Sequence, residues 1–323
     1  MRRIDLHTLG PIVALIALVI LGGLLNPAFL APANITNVLA RSAFIGMIAV
    51  GMTFVITAGG LDLSVGSMAA FLAGVTILAM NALAPVTGAN WGTILIGMGV
   101  ALAGGVAAGL FNGALITRAR IEPFIVTLGT MGIFRSLVTW LADGGTLSLD
   151  SGLRTLYRPV YYGGIGWITW PIIAFALAAI IGEYVMRQTR FGRHVEAIGS
   201  NDRVARYSAV DVNRVQMLTY VLLGLLVGVA TILYVPRLGS ASGSTGVLWE
   251  LEAIAAVIIG GTALKGGTGR VWGTVVGVLI LSLIDNILNL ADLVSPYLNG
   301  AIQGVIIVLA VVLQREKRTA EAR

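Results

Sequence analysis

Residues 188–214 read QTRFGRHVEAIGSNDRVARYSAVDVNR. They stand between two long apolar runs, 167–186 and 215–235. Together with the preceding residue they hold six arginines: Arg187, Arg190, Arg193, Arg203, Arg206 and Arg214. A strongly basic loop between two apolar stretches reads as a cytoplasmic loop of a membrane protein, held on its side by positive charge. The loop also has internal order. Gly192 and Gly199 bracket the segment HVEAIG and read as the turns that set the angle of the helix that follows. Asn201 is placed to cap a short helix over 202–210, with Asp202 at its positive end. A capped amphipathic helix on a cytoplasmic face has the shape of a docking element.

Outward from that loop, nearly everything is apolar. Of 323 residues, 57% are hydrophobic and 11% are charged, about half the charge fraction of an ordinary soluble domain. Apolar runs at 11–25, 35–58, 64–83, 91–117, 124–142, 167–186, 215–235, 248–263, 271–290 and 297–313 suggest about ten spans of bilayer length. Backbone groups in lipid must be satisfied within the segment or in a closed barrel, and no alternating barrel pattern is present. The expected fold is therefore all-α: one polytopic bundle of about ten transmembrane helices, residues 1–323. The first run is read as an uncleaved span, because Pro32 between Ala31 and Ala33 suits a signal-peptidase site poorly. With the N-terminus inside, sixteen of the 21 basic residues fall in the cytoplasm and three, Arg154, Arg158 and Arg237, fall outside. Both termini are thus expected in the cytoplasm. The net charge of +6 follows from this asymmetry, and no basic run carries a nucleic-acid motif. The chain has no cysteine, and its two histidines, His7 and His194, are too far apart in sequence to suggest a metal cluster.

The 42 glycines include regular spacings. Gly105, Gly109 and Gly113 recur every fourth residue, as do Gly269, Gly273 and Gly277, and the pair Gly224 and Gly228. Small residues at that spacing let helix backbones approach closely in lipid. The pattern Gly59-Gly60-x-x-Leu63-x-x-Gly66 is echoed 201 positions later by Gly260-Gly261-x-x-Leu264-x-x-Gly267, each between two apolar runs. Paired glycine-interrupted segments mark sites in repeat-built transporters. Chance matching in a glycine-rich chain is the competing account.

Few polar groups lie at membrane depth. Asp62 has two compatible readings: a cap for a helix beginning near Ser64, and a group facing a pathway. Ser282, Asp285 and Asn289 share one face at helical spacing, with Asn286 adjacent. Interhelical hydrogen bonding and contact with a passing hydroxylated solute both fit them. Asn112, between Gly109 and Gly113, is a candidate of the same kind. Arg135 is expected to face the bundle or to snorkel outward. Trp140 and Trp249 read as interface aromatics. The longest outer loop, residues 143–166, holds GGTLSLDSGLRTLYRPVYYGGIG and reads either as a lid or landing site or as a plain connection.

No G-x-x-x-x-G-K-[ST], G-x-S-x-G or H-E-x-x-H occurs, so the chain is not expected to be an enzyme on its own or to hold a cofactor. Four blocks carry a resemblance: ITAGGLDLSVGSMAAF (56–71), PFIVTLGTMGIFRSL (123–137), TRFGRHVEAIGSNDRVARYSAVDV (189–212) and ELEAIAAVIIGGTALKGGTGRVWGTVVG (250–277). In this order, and spread over nearly the whole chain, they resemble permease subunits of ribose-type ATP-binding-cassette sugar importers. The resemblance implies a ten-helix permease of a bacterial inner membrane, paired with a second copy or a similar permease. It implies ATPase subunits bound on the cytoplasmic side, with ATP and magnesium on those chains, and a periplasmic binding protein that delivers a monosaccharide or polyol. It places an ATPase-coupling helix in the central loop, with the carry-over landing on Gly192, Arg193, Gly199, Asn201, Ala205 and Ser208. Ala205 and Ser208 then read as the contact pair, with Arg206 at the rim. Pathway candidates are Asp62, Ser64, Asn112, Ser282, Asp285 and Asn289. The chain departs from the pattern at Glu122, at Glu196, where an aromatic is common, and at Ser200 and Ala209, where glycine is common. The runner-up is the branched-chain amino-acid permease family, whose members lack the full GGLDLSVG block. An ion-coupled secondary transporter would have Asp62 and Asp285 as its only ion-site candidates.

Overall fold

The computed structural model describes residues 6–291 together with 298, 301, 302, 304 and 305. Helix α1 (Leu6–Leu25) leads through a 3-10 turn at Pro27–Leu30 into α2 (Pro32–Thr57), α3 (Val65–Thr87), α4 (Trp91–Thr117) and α5 (Pro123–Leu141). A folded connection follows: β1 (Thr146–Ser148), α6 (Ser151–Tyr157), α7 (Pro159–Tyr162), β2 (Gly164–Ile165) and β3 (Ile168–Thr169). Helix α8 (Trp170–Gln188) returns to the arginine-rich end, where α9 (Arg190–Ser200) and α10 (Asp202–Tyr207) lie. The order closes with α11 (Val212–Leu238), β4 (Ser240–Ser242), α12 (Trp249–Ile259) and α13 (Val271–Ala291).

Among the described residues seven helices, α2, α3, α4, α5, α8, α11 and α13, are long and apolar enough to cross a bilayer, and α1 adds a shorter apolar stretch, Gly10–Leu25. The all-α polytopic fold is therefore as read from composition. The expected span 297–313 lies largely outside the described residues.

The expected span 248–263 needs correction. Helix α12 has 11 residues and is about 16 Å long, against about 30 Å of hydrocarbon. The rest of that crossing is a non-helical strap, residues 239–248. At one end β4 pairs antiparallel with β1. At the other, the loop after α12 reaches the arginine-rich end, where Gly267 N donates to Thr57 O at 2.9 Å. Non-helical backbone at membrane depth needs partners inside the protein. Arg135 supplies them: its guanidinium donates to Gly243 O at 2.8 Å, to Thr245 O, and to Gly246 O at 3.5 Å. The arginine therefore faces the bundle, as one of its two readings had it.

Helix α2 is the centre of the packing. Every residue from Ala43 to Thr57 except Ile45 is buried, as fits a helix apolar on all sides. The glycine repeats do what their spacing implies. A Cβ at Gly105 would overlap Gly224 O, one at Gly109 would overlap Tyr220 O, and one at Gly224 would overlap Gly105 O, so α4 and α11 meet backbone to backbone. On α13, Gly273 and Gly277 abut Gly260 and Ala256 of α12 in the same way.

The connection after α5 is a docked cap rather than a loose loop. Leu153 and Tyr157 are fully buried, and the Tyr157 hydroxyl donates to Ile232 O at 2.7 Å. Burial pushes the phenols of Tyr157 and Tyr161 above their ordinary range, while Arg237 acts the other way on Tyr161. Trp249, read as an interface aromatic, instead stacks on Phe44 at 6.3 Å and meets Tyr234 edge-on at 5.2 Å.

Candidate functional site

The arginine-rich end is built on α9. Thr189 caps it through Oγ1 to Gly192 N at 3.3 Å, and Gly192, Val195 and Ile198 turn one face inward. Gly192 and Gly199 are not turns, as the sequence suggested, but helical positions of close approach. A Cβ at Gly192 would overlap Met186 O, and one at Gly199 would overlap both Thr57 O and Gly267 N. Arg187 bridges Glu183 at 3.3 Å and Glu196 at 3.5 Å, which gives Glu196, one of the departures, a partner on α8. Glu183 also accepts from Val271 N at 3.1 Å and Trp272 N at 3.4 Å, capping α13 from another helix. Nothing in the local sequence of either segment announces that pairing across 88 residues.

Asn201 caps α10 as expected: Oδ1 accepts from Arg203 N and Val204 N, both at 3.1 Å. The helix ends at Tyr207 rather than at residue 210, because Ala209 is left-handed, with φ +60°. Ala209 N donates to Arg206 O and Val210 N to Ala205 O, both at 3.1 Å, a Schellman stop with alanine where glycine is usual. Ala209→Gly is accordingly expected to raise stability by about 1 kcal/mol, read as a higher thermal midpoint of the purified chain. An unchanged or lower midpoint would mean that the strain is absent.

The expected contact pair is divided by the fold. Ala205 is 3% exposed and belongs to the core, so the two residues are not presented outward together. Ser208 is exposed on the other side of the stop, as are Arg193, Asn201 and Arg206, the last donating to Asn213 Oδ1 at 3.3 Å. The residues α10 presents outward were missed by the sequence reading: Val204, 57% exposed, and Tyr207, 92% exposed. They are three apart on one side of the helix and apolar, a signal available in the sequence once Ala205 is known to point inward.

Directly behind α9 two helix breaks meet. Helix α2 ends with Gly59 N donating to Ile56 O and Gly60 N to Val55 O, both at 2.9 Å. Helix α12 ends with Gly261 N donating to Ile258 O at 2.9 Å and Thr262 N to Val257 O at 3.2 Å. Gly59, at φ +82°, corresponds to Gly261, at φ +89°. The structural offset is thus 202, not the 201 of the sequence echo, and the two Gly-Gly pairs are out of register by one. Thr53 and Thr274 hydroxyls share a 2.8 Å bond just inside.

Between α2 and α3 the structure brings together three of the predicted polar residues. Asp62 Oδ1 accepts from Ser64 N at 2.8 Å and from Ser64 Oγ at 2.6 Å. Asn112 Nδ2 donates to Asp62 Oδ2 at 3.2 Å and to Ser64 Oγ at 3.0 Å, while Asn112 Oδ1 is buried with no partner. The Tyr220 hydroxyl closes the break by donating to Leu61 O at 3.2 Å. All three side chains are at most 1% exposed, so in this conformation none faces open space. On α13 the other trio stays apart from them. Asn286, beside them, makes an interhelical link, a reciprocal pair of 2.9 Å bonds with Asn34. Ser282 and Asp285 are half-buried, and Asn289 is exposed, donating to Asp285 O at 2.7 Å.

Residues 34–311 match the family described as branched-chain amino acid transport system / permease component. Among curated relatives, the ribose import permease protein of Bacillus subtilis (strain 168) is 40% identical over 319 residues, 97% of this chain and 94% of its own length. The ribose import permease protein of Escherichia coli (strain K12) is 34% identical over 310 residues, 95% of this chain and 93% of its own length. The D-allose transport system permease protein of the same strain is 33% identical, covering 93% of this chain and 89% of its own length.

Proposed function

Because the chain belongs to the branched-chain amino acid transport system / permease component family, we propose that it is the membrane subunit of a binding-protein-dependent sugar importer. Its relatives over nearly full length are named for ribose and allose, which favours a monosaccharide or related polyol over a branched-chain amino acid. In this reading the chain sits in the bacterial inner membrane with the arginine-rich end and both termini in the cytoplasm. It pairs with a second copy or a similar permease and receives its sugar from a periplasmic binding protein. ATP and magnesium are bound by a separate ATPase chain. Ser282, Asp285 and Asn289 are the candidates for contact with the passing sugar, whereas Asp62, Ser64 and Asn112 hold the break between α2 and α3.

The observation that carries this reading is α10. It is capped at one end, stopped at the other and anchored through Ala205, yet it holds Val204 and Tyr207 in the open. A rigid helix offering an almost fully exposed tyrosine is the form a partner's groove accepts. Truncated aromatic anchors commonly cost about 2 kcal/mol or more. Tyr207→Ala is therefore expected to weaken association with the ATPase subunit by roughly 30-fold. Arg206→Ala, at the rim, should do much less. Co-purification with titrated ATPase, together with sugar uptake by the reconstituted complex, measures both. Wild-type association and uptake for Tyr207→Ala would remove α10 from the partner interface.

A further inference from the structure

Helix α5 has an open face whose chemistry does not suit lipid. Its exposed positions include Gly129, Gly132, Ser136 and Thr139, and no neighbouring atom stands within 4 Å of a Cβ built at either glycine. At 100° per residue the line through Gly132, Ser136 and Thr139 runs along the middle of the exposed arc, continuing to Asp143 just past the helix end. Ile125 lies on the same line toward the arginine-rich end, and Phe124, Leu128, Ile133 and Trp140 flank it. A lipid-facing helix carries apolar residues along that central line, whereas polar residues at membrane depth face water, a solute or another protein chain.

At the end of α5 far from the arginine-rich loop this face opens into a shallow, largely open cavity of ≈ 400 Å³, lined by Arg135, Ser136, Thr139, Trp140, Asp143 and Gly144. The cavity is a built one. Gly144 N donates to Thr139 O at 2.9 Å and Asp143 N to Trp140 O at 3.0 Å, folding the chain back over the last turn. Arg135 is pinned by the strap carbonyls, and Glu250 of α12, whose Oε2 is buried without a hydrogen-bond partner, lies within its electrostatic reach. The cavity walls carry one cation, one carboxylate, two hydroxyls and a tryptophan that is 74% exposed. With the Thr139 hydroxyl donating to Arg135 O at 2.8 Å and Arg135 held by the strap, the set offers a small neutral polyol an indole for its C–H face, the Ser136 hydroxyl, and acceptors on Thr139 and Asp143. The volume lies within the range of small-molecule sites.

Resting on the import reading above, we propose that this cavity is a sugar-contacting station at the outer mouth of the pathway, with Trp140, Thr139 and Ser136 as residues that set sugar preference. It is separate from the trio on α13.

The test uses the complete complex of this chain with its ATPase and binding-protein partners in proteoliposomes. The chain has no cysteine, so Thr139→Cys is a single reporter. The expected result is labelling of Thr139→Cys by a charged, water-soluble thiol reagent. Trp140→Leu and Thr139→Val are expected to lower uptake roughly tenfold and to change the ratio of pentose to hexose uptake in complexes that still assemble. Labelling by lipid-soluble reagents alone assigns the face to lipid and overturns the proposal. Disulfide formation between copies without aqueous labelling assigns it to the second copy and overturns the proposal equally. Unaltered uptake and preference in both Trp140→Leu and Thr139→Val also overturn it. A wild-type complex that imports no sugar sinks the import reading itself, a result distinct from any of these.

Discussion

Gly199→Ala is expected to lower the stability of the chain by roughly 2–4 kcal/mol and to abolish most sugar uptake, while Gly99→Ala leaves both nearly unchanged. The two glycines differ only in what surrounds them. A Cβ at Gly99 meets nothing within 4 Å, and alanine is the better helix former. At Gly199 the same methyl would overlap the Thr57 carbonyl and the Gly267 amide at once. Those two atoms are hydrogen-bonded to each other at 2.9 Å, one at the end of α2 and the other in the loop between α12 and α13. Backbone cannot swing aside as a side chain can, so α9 must lift away or the bond between the breaks must open. The thermal midpoint in detergent and uptake by the reconstituted complex read these effects. In the proposed function α9 and α10 carry the push from the ATPase, and Gly199 is where that push meets α2 and α12 together. A complex that keeps its ATPase but hydrolyses ATP without moving sugar is the signature expected of a partly tolerated substitution. Gly199→Ala with wild-type midpoint and uptake would show that α9 does not bear on the breaks.

The sequence was most readable where a residue acts through its own helix. The Asn201 cap depends on amides two and three positions on, and it forms as read. Glycine every fourth residue has one physical use in lipid, and α4 and α11 use it. Readability failed where the deciding partner is far along the chain. Whether Ala205 or Tyr207 faces outward depends on which side of α10 rests on the core, which the local spacing of 202–207 does not contain. The crossing at 239–270 was misread for a related reason. Hydropathy counts apolar residues in 248–263 but does not register that Arg135, more than a hundred positions earlier, satisfies the carbonyls of a strap that is not helical. The alanine at position 209 is the converse case. Its departure from glycine was visible in sequence, but its meaning, a left-handed residue closing α10, was not.

Asp62 offers the sharpest choice between holding the fold and touching the solute. Its carboxylate accepts from Ser64 N, Ser64 Oγ and Asn112 Nδ2, and all of these groups are buried. Asp62→Ala leaves the Ser64 amide without this acceptor and two further donors to be re-paired in a space that water does not reach. Each unmade buried bond costs about 1–3 kcal/mol. The expected loss is therefore roughly 3–6 kcal/mol, enough to prevent accumulation of folded chain. Asp62→Asn is expected to behave differently. The amide oxygen can keep the two Ser64 bonds, and the new NH2 can donate to Asn112 Oδ1 once that amide turns over, but the turned Asn112 then gives up its own bond to Ser64 Oγ. This exchange keeps the shape of the break while removing the charge and one buried hydrogen bond, so the loss should be about 1–3 kcal/mol, less than for Asp62→Ala. Uptake by the assembled complex should remain within a few-fold of wild type. Thermal midpoints of both variants, with uptake measured on Asp62→Asn, separate the accounts. If Asp62→Asn assembles with a normal midpoint and imports nothing, the negative charge itself serves the solute. Asp62 would then belong to the pathway, and the break would have to be held chiefly by Tyr220 on the Leu61 carbonyl.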